Sequence, residues 1–336
     1  MRKIEIIIPK DKVDETKETL NRLFYEYNII EGTDEALVII FTDISGSKTT
    51  LEELKRIGIS TTYGRINILP IAGLIPPLRG RAEQRPKIQS LSFEELYSII
   101  EPQTHPDLLY IVFIIVSAIV AALGLIYNNV AVIVGSMVIA PLLGPIVGSS
   151  LGTVTSNRKI LKRGLFTEFV GLTISIMVGL LLGFLFYYVG VLSNGEFEKE
   201  FGGRLSEMFL RTNATLADFG LGIASGIAAG LCFVSGIATA LVGVAVAASL
   251  MPPAANVGLL LSMGEFGLAV GSLWILLINL LCINFMCTIT FFLSGIKSPV
   301  QSKRMEKLRA RTARKDLLIV LAALIILAAA IILALF

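Results

Sequence analysis

Five long stretches of this 336-residue chain contain no Asp, Glu, Lys or Arg. They cover residues 108–157, 169–195, 219–264, 266–296 and 317–336. A helix needs about 20 mostly apolar residues to cross a bilayer, so each stretch can supply at least one membrane span. Hydrophobic residues make up 54% of the chain and charged residues only 16%, unlike a soluble protein. We therefore expect an α-helical, multi-pass protein of the cell membrane, with the lipid bilayer as its surroundings.

The apolar segments divide into seven predicted spans, at 108–127, 130–155, 165–192, 215–234, 237–262, 266–294 and 317–336. Their orientation follows from the positive charges of the loops. The loop at 156–164 holds four Lys or Arg residues and the loop at 295–316 holds eight, whereas those at 128–129 and 263–265 hold none. One arrangement satisfies all of these loops: the N-terminus is cytoplasmic, the first span runs outward, and the seventh ends outside.

Residues 1–70 predict a small cytoplasmic α+β domain. The strand and helix patterns follow the order β-α-β-β-α-β, with helices at 11–27 and 48–57, which is typical of a ferredoxin-like sandwich. A linker follows at 71–106, rich in Pro and basic residues, with one short helix at 92–101 that begins with a capping box of Ser92 and Glu95. That helix either lies on the membrane surface or packs on the soluble domain. The N-terminus is polar within a few residues of its start, so we expect no signal peptide.

The membrane region is expected to hold a six-helix core at 107–294, a basic cytoplasmic loop at 295–316 and a C-terminal helix at 317–336. Its second and fifth spans each contain two prolines: VGSMVIAPLLGPIVG with Pro141 and Pro145, and VAVAASLMPPAANVG with Pro252 and Pro253. Proline removes a backbone donor and bends or breaks a helix. Because Pro252 and Pro253 are adjacent, we expect the second break to be the sharper one. Each broken helix is the middle span of a triplet, and triplets of odd number have opposite orientations, which predicts a 3+3 inverted repeat.

Broken helices in corresponding halves are a pointer to a transporter's binding site. Uncharged polar side chains surround the two predicted breaks, and each is either a link between helices or part of a polar pathway, since an unpaired amide in hydrocarbon is costly. No charged residue is expected near the bilayer centre, because Glu168 and Asp218 fall at span ends, so the site is predicted to be neutral. The predicted substrate-binding residues are Asn129, Ser136, Pro141, Gly144, Pro145, Ser249, Pro252, Pro253, Asn256, Asn279 and Asn284.

Catalytic and metal chemistry find little support in the sequence. The three cysteines (Cys232, Cys282 and Cys287) lie in apolar segments without metal-site or redox spacing, and His105 is the single histidine. We therefore expect no enzyme, no metal, no cofactor and no nucleic-acid partner. Rows of glycine every fourth residue (Gly144, Gly148 and Gly152; Gly222, Gly226 and Gly230; Gly267 and Gly271) predict tight helix packing and permit a homo-oligomer.

The runs NNVAVIVGSMVIAPLLGPIVGSSLG and ALVGVAVAASLMPPAANVGLLL resemble the signature segments of a prokaryotic membrane-protein family labelled domain of unknown function 389. The resemblance covers roughly residues 107–293, and archaeal-type members similarly carry an N-terminal soluble domain. That family has no assigned activity, so the resemblance implies a layout and no functional residue. The sequence favours a transporter or permease for a small solute. The alternative is a channel or sensory membrane protein that the cytoplasmic domain regulates.

Overall fold

The computed structural model describes residues 2–23, 25–42, 44–71, 91, 93–189, 206–236 and 240–296. The predicted seventh span, the basic residues of the linker and of the 295–316 loop, and the Ser92 cap lie outside these ranges. Two compact units are formed. One comprises the N-terminal elements up to Leu96 together with Val234–Gly236, and the other holds the remaining helices.

A four-stranded antiparallel sheet forms the first unit. Its strands are β1 (Arg2–Pro9), β2 (Tyr27–Glu31), β3 (Glu35–Thr42) and β4 (Arg65–Pro70), in the spatial order β2-β3-β1-β4. Helix α1 (Val13–Arg22) lies between β1 and β2 in the chain, and α2 (Ile44–Arg56) lies between β3 and β4. The element order is the one that the sequence predicts.

Alternation along β1 explains which face of the sheet is buried. Ile4, Ile6 and Ile8 are fully buried, and they pack in one core with residues of β3 and both helices. On the opposite face Lys3 pairs with Glu5 at 2.8 Å. A period of two is the strand signature, because successive side chains point to opposite faces.

The first predicted helix is shorter than expected. Helix α1 ends at Arg22, whereas the apolar spacing predicts that it continues through Tyr27. Tyr27 instead begins β2 and pairs with Ile40 of β3. The prediction fails because an aromatic residue at a helical spacing also fits a half-buried position in a strand. The pairing of Tyr27 with β3 favours the strand.

Helix α3 (Phe93–Ile100) begins in the first unit and ends in the second. In its first turn Glu95 accepts a 2.7 Å bond from Arg2 Nε, and Glu94 pairs with Lys55 of α2. Of the two alternatives for this helix, these ion pairs support packing on the sheet unit.

The second unit is helical and apolar. Its long helices are α4 (Leu108–Ile126), α7 (Arg158–Tyr188), α9 (Leu216–Ser235), α10 (Ala240–Ser262) and α11 (Phe266–Leu293). Two shorter helices, α5 (Val130–Ile139) and α6 (Leu143–Val154), follow α4, and a single turn, α8 (Glu207–Leu210), precedes α9. Within the described ranges, five helices are long and apolar enough to cross a membrane, or six if α5 and α6 together form one span.

Helix α7 begins seven residues before the predicted span. The basic segment at 158–164 forms its first two turns, although the charges suggest a loop. Asn157 caps this helix by accepting hydrogen bonds from the backbone N–H groups of Lys159 and Ile160. The charged residues mark where the helix leaves the apolar region, but the helix continues through them.

Candidate functional site

The first proline pair interrupts the second predicted span, as expected. Helices α5 and α6 are bent by 52° at a break that contains Pro141. Pro145 is the third residue of α6, where a missing N–H costs no helical hydrogen bond. Gly144 allows close approach at this point, since a Cβ there would lie 2.6 Å from the Cβ of Gln103.

The second proline pair does not break its helix, and the prediction of a sharper second break is wrong. Pro252 and Pro253 lie inside the continuous helix α10. Pro253 has no N–H to give to the carbonyl of Ser249, four residues earlier. Asn279 of α11 takes its place, because its Nδ2 donates to the Ser249 carbonyl oxygen at 2.9 Å. A neighbouring helix thus replaces the lost donor, as membrane helices with internal prolines require.

A second amide links the same two helices on the other side of the prolines. Asn256 Nδ2 donates to Ser272 Oγ and to the Met208 carbonyl, each at 2.9 Å, and Ser272 Oγ donates to the Arg211 carbonyl at 2.6 Å. Asn256 follows Ser249 by seven residues on α10, and Asn279 follows Ser272 by seven on α11. Seven residues are about two helical turns, so the two links lie about two turns apart along the antiparallel helices α10 and α11. Pro252 and Pro253 lie between the two links.

Both amides retain a buried acceptor without a donor. Asn256 is fully buried and Asn279 is 1% exposed, yet the Oδ1 atom of each has no hydrogen-bond partner. Among the described residues these are the only buried side-chain N or O atoms of that kind. An unpaired buried acceptor costs about 1–3 kcal/mol, so two of them at one helix seam call for an explanation.

Asn284 joins a separate polar cluster with Ser149 of α6 and Glu168 of α7. Ser149 Oγ lies 2.7 Å from Glu168 Oε1 and 2.6 Å from Asn284 Oδ1. Asn284 Nδ2 donates to Glu168 Oε2 and to the Leu280 carbonyl, both at 3.0 Å. Glu168 is 3% exposed. The sequence places this carboxyl group at a span end and predicts a neutral site, and the structure buries it in a polar cluster.

Glu168, Ser149 and Ser272 are not among the predicted site residues, and for Glu168 a signal was available. It lies four residues after Gly164 and three before Gly171, so it shares the face of α7 that carries small residues. That face packs closely: a Cβ on Gly164 would lie 2.6 Å from the Ser149 backbone nitrogen. Small-residue faces mark helix interfaces, so a carboxyl group on such a face is expected to be buried.

The remaining predicted site residues are not brought into these clusters. Asn129 is exposed and caps α5 through a bond from the Val132 N–H. Ser136 is buried, but its hydroxyl donates to the Ile133 carbonyl of its own helix. The hydroxyl of Ser249 likewise contacts the Ala245 carbonyl, at 3.4 Å, and only its backbone joins the α10–α11 link.

The glycine rows serve packing. A Cβ on Gly148 or Gly152 would lie 2.2 Å from Thr104 or 2.4 Å from Leu161, and the row on α9 faces α11. Gly271 meets the Thr212 carbonyl, whereas Gly267 has no atom within 4 Å. In the part of the chain that the structure describes, no three His, Cys, Asp or Glu residues are grouped to hold a metal ion.

Comparison with known proteins agrees with this layout. The family described as Domain of unknown function (DUF389) matches residues 137–285, which contain both proline pairs together with Asn256, Asn279 and Asn284. The expected resemblance is confirmed. An uncharacterized protein of Methanocaldococcus jannaschii is 28% identical over 325 residues, which cover 95% of each chain. No solved structure matches.

Proposed function

We propose that this chain is a multi-pass transport protein of the cell membrane, which binds a small solute at the α10–α11 seam around Pro252 and Pro253. The observation that carries the proposal is the pair of buried, unpartnered oxygens of Asn256 and Asn279. Their amide nitrogens already link the helices, so the oxygens are left for another donor. A solute that supplies N–H or O–H groups would recover the cost of burying them.

The chemistry of these oxygens limits which class of solute can bind. Amide oxygens only accept hydrogen bonds, and they repel anions. Helices α10 and α11 carry no charged residue within their bounds, and Arg211, whose carbonyl accepts from Ser272, is paired with Glu207. The proposed solute is therefore a neutral, donor-bearing molecule, and the proposal includes no catalytic step.

An inverted repeat agrees with the packing of the helices. The broken span α5–α6 of the first triplet contacts α11, the last helix of the second triplet, through Ser149 and Asn284. In return, α10 of the second triplet packs closely on α7, the last helix of the first. A two-fold relation between the triplets would produce this reciprocal exchange. We infer such a repeat, with the N-terminus in the cytoplasm and a ferredoxin-like sheet unit, whose strand order β2-β3-β1-β4 suits that fold.

Solute flux into reconstituted vesicles tests the proposal. Purified full-length protein is placed in liposomes, and osmotic swelling in urea, glycerol or erythritol is followed by stopped-flow light scattering. We expect faster swelling than in protein-free liposomes for at least one of these solutes. Asn256→Leu and Asn279→Leu should each lower that flux about tenfold, which corresponds to the loss of one hydrogen bond of about 1.4 kcal/mol.

The matched control is Thr290→Val on α11. Thr290 Oγ1 donates to the Met286 carbonyl of its own helix, so its loss should leave the flux unchanged. The proposal fails if no solute enters faster than in protein-free liposomes, or if both asparagine variants transport as well as the wild type. An experimental structure with one ordered water on each Oδ1 atom in an otherwise dry seam would also refute it.

A further inference from the structure

We propose that Glu168 is a proton-binding site, and that in the conformation described its carboxyl group is protonated and closes a ring of hydrogen bonds with Ser149 and Asn284. The proton site itself stands on the geometry of these three side chains. Its use as the coupling site of a transport cycle rests on the function proposed above.

The hydroxyl of Ser149 has one hydrogen and three acceptor oxygens around it. They are the Ile146 carbonyl at 2.8 Å, Glu168 Oε1 at 2.7 Å and Asn284 Oδ1 at 2.6 Å. The last two distances are typical of O–H···O bonds, in which a hydrogen lies between the oxygens. If Glu168 were ionised, Ser149 could serve only one of them, and the other pair of oxygens would face each other without a hydrogen.

A 180° flip of the Asn284 side-chain amide cannot supply the missing hydrogen. Its Nδ2 donates to the Leu280 carbonyl and to Glu168 Oε2, each at 3.0 Å. The reverse orientation would place Oδ1 against the Leu280 carbonyl, which only accepts. The orientation is therefore fixed, and Oδ1 faces Ser149.

A protonated Glu168 supplies a hydrogen for every contact among Glu168, Ser149 and Asn284. Its Oε1–H donates to Ser149 Oγ, the hydroxyl of Ser149 donates to Asn284 Oδ1, and Asn284 Nδ2 donates back to Glu168 Oε2. The ring contains one donor for each acceptor. It joins three helices (α6, α7 and α11), so the loss of the Glu168 proton would open a contact that holds all three.

In the part of the chain that the structure describes, no cation lies beside Glu168 to stabilise its ionised form. Tyr110 of α4 and Cys287 of α11 are the titratable groups that face it, and both are neutral as ordinary side chains. Helices α6 and α10 carry no titratable residue. Arg163, earlier on α7, donates to Glu101 at 3.2 Å and lies 3.1 Å from His105 Nε2. Among the described residues no Lys, Arg or His lies within salt-bridge distance of Glu168, and a buried carboxylate without a cation is costly.

Infrared spectroscopy of the full-length protein tests the protonation directly. We expect the difference between wild type and Glu168→Gln at neutral pH to contain the carbonyl stretch of a protonated carboxylic acid. That band should be lost at alkaline pH and replaced by carboxylate bands. Carboxylate bands at neutral pH, without the carbonyl stretch, would overturn the proposal.

Glu168→Gln is a suitable variant because it can keep the ring. Its amide nitrogen can donate to Ser149 and its oxygen can accept from Asn284, so the variant mimics the protonated state. If it fails to fold, wild-type protein grown with ¹³C-labelled glutamate gives the same test without a substitution. Ser149→Ala removes the acceptor of the Glu168 proton, so the carbonyl band should move to the position of a less strongly bonded acid. An unmoved band would contradict the ring.

The coupling between protonation of Glu168 and solute transport is tested separately in vesicles. With urea, glycerol or erythritol as the probe solute, the wild-type flux should change between neutral and alkaline pH, and Glu168→Gln should lose that dependence. If the infrared band is present while flux of these solutes is pH-independent, the coupling is refuted and the proton site stands. If none of the three solutes enters, the transport function fails, while the infrared result still decides the proton site.

Discussion

The contact between α7 and α10 allows a quantitative prediction about glycine. A Cβ built on Gly258 of α10 would lie 2.1 Å from the Ile176 carbonyl oxygen and 2.5 Å from the Leu180 nitrogen, both backbone atoms of α7. Ordinary Cβ contacts begin at 3.4 Å. Because backbone atoms of a helix cannot swing aside, Gly258→Ala requires the two helices to separate by about 1.3 Å at this point.

The cost of that separation follows from the packing lost. A radial gap of about 0.5–1 Å already forfeits a quarter to a half of the dispersion attraction between facing atoms. Overpacked sites typically lose about 1–3 kcal/mol, and occasionally more. Because neither backbone can give way, the upper part of that range, about 2–3 kcal/mol, applies. Alanine recovers about 1 kcal/mol through its higher helix propensity. After the alanine gain we expect a net loss of about 1–2 kcal/mol, which lowers the midpoint of thermal unfolding by about 2–8 °C.

Thermal unfolding of purified protein in detergent, followed by near-ultraviolet circular dichroism, measures this effect. Gly243→Ala is the matched control on the same helix, because its Cβ would meet only the Leu143 side chain, with Cδ2 at 3.7 Å and Cβ at 3.9 Å. The control should be as stable as the wild type or slightly more so. Gly179→Ala, which would place a Cβ 2.3 Å from the Ala255 carbonyl, should destabilise like Gly258→Ala.

The double variant sharpens the test. Both substitutions require the same separation of α7 and α10, so their combined cost should be smaller than the sum of the single costs. Equal stability of Gly258→Ala and Gly243→Ala would refute the close approach of these helices.

Two further predictions concern the ends of α7 and the sheet unit. Asn157→Ala should lose the cap of α7 at a cost of about 1 kcal/mol, seen as faster hydrogen exchange in its first turn, while Asn157→Asp should keep the cap; equal exchange in both variants would contradict the capping role. Burial raises the pKa of the Tyr63 hydroxyl, which donates to the Ile57 carbonyl at 2.7 Å. Its stabilisation is therefore present below about pH 10, the value for an unfolded chain, and is lost as the pH rises through the higher folded value. The tyrosinate absorbance difference between wild type and Tyr63→Phe should show late ionisation, and ionisation at the ordinary value would refute it.

Local patterns in the sequence predict much of the architecture. The β-branched run Lys3–Ile8 predicts the strand β1. The apolar stretches identify each long helix, because hydropathy and charge are properties of the segment itself. Where an end depends on a contact, as for Tyr27 in β2, the prediction fails, since the pairing of Tyr27 with Ile40 of β3 is not visible in the helical spacing of its own segment.

The polar clusters depend on pairs of helices and are only partly predictable. The sequence selects Asn256, Asn279 and Asn284, because any amide in hydrocarbon needs a partner. It does not select Ser272, which bonds Asn256. It also leaves Glu168 out of the predicted site, since its neighbourhood in the chain is basic while its neighbours in space are Ser149 and Asn284. Span boundaries drawn from charge assign such a residue to the membrane surface.

The unbroken helix at Pro252 and Pro253 leads to a last prediction. Asn279 donates to the Ser249 carbonyl because Pro253 cannot, so the two residues should be energetically coupled. In the wild type, Asn279→Ala leaves that carbonyl without a donor, at a cost of about 1–3 kcal/mol in addition to the cavity. In a Pro253→Ala background the backbone N–H of residue 253 can donate instead, and only the cavity cost remains. A double-mutant cycle by thermal unfolding should therefore give a coupling of about 1–2 kcal/mol. Strict additivity would show that Asn279 does not replace the proline's missing donor, and the continuity of α10 would then need another cause.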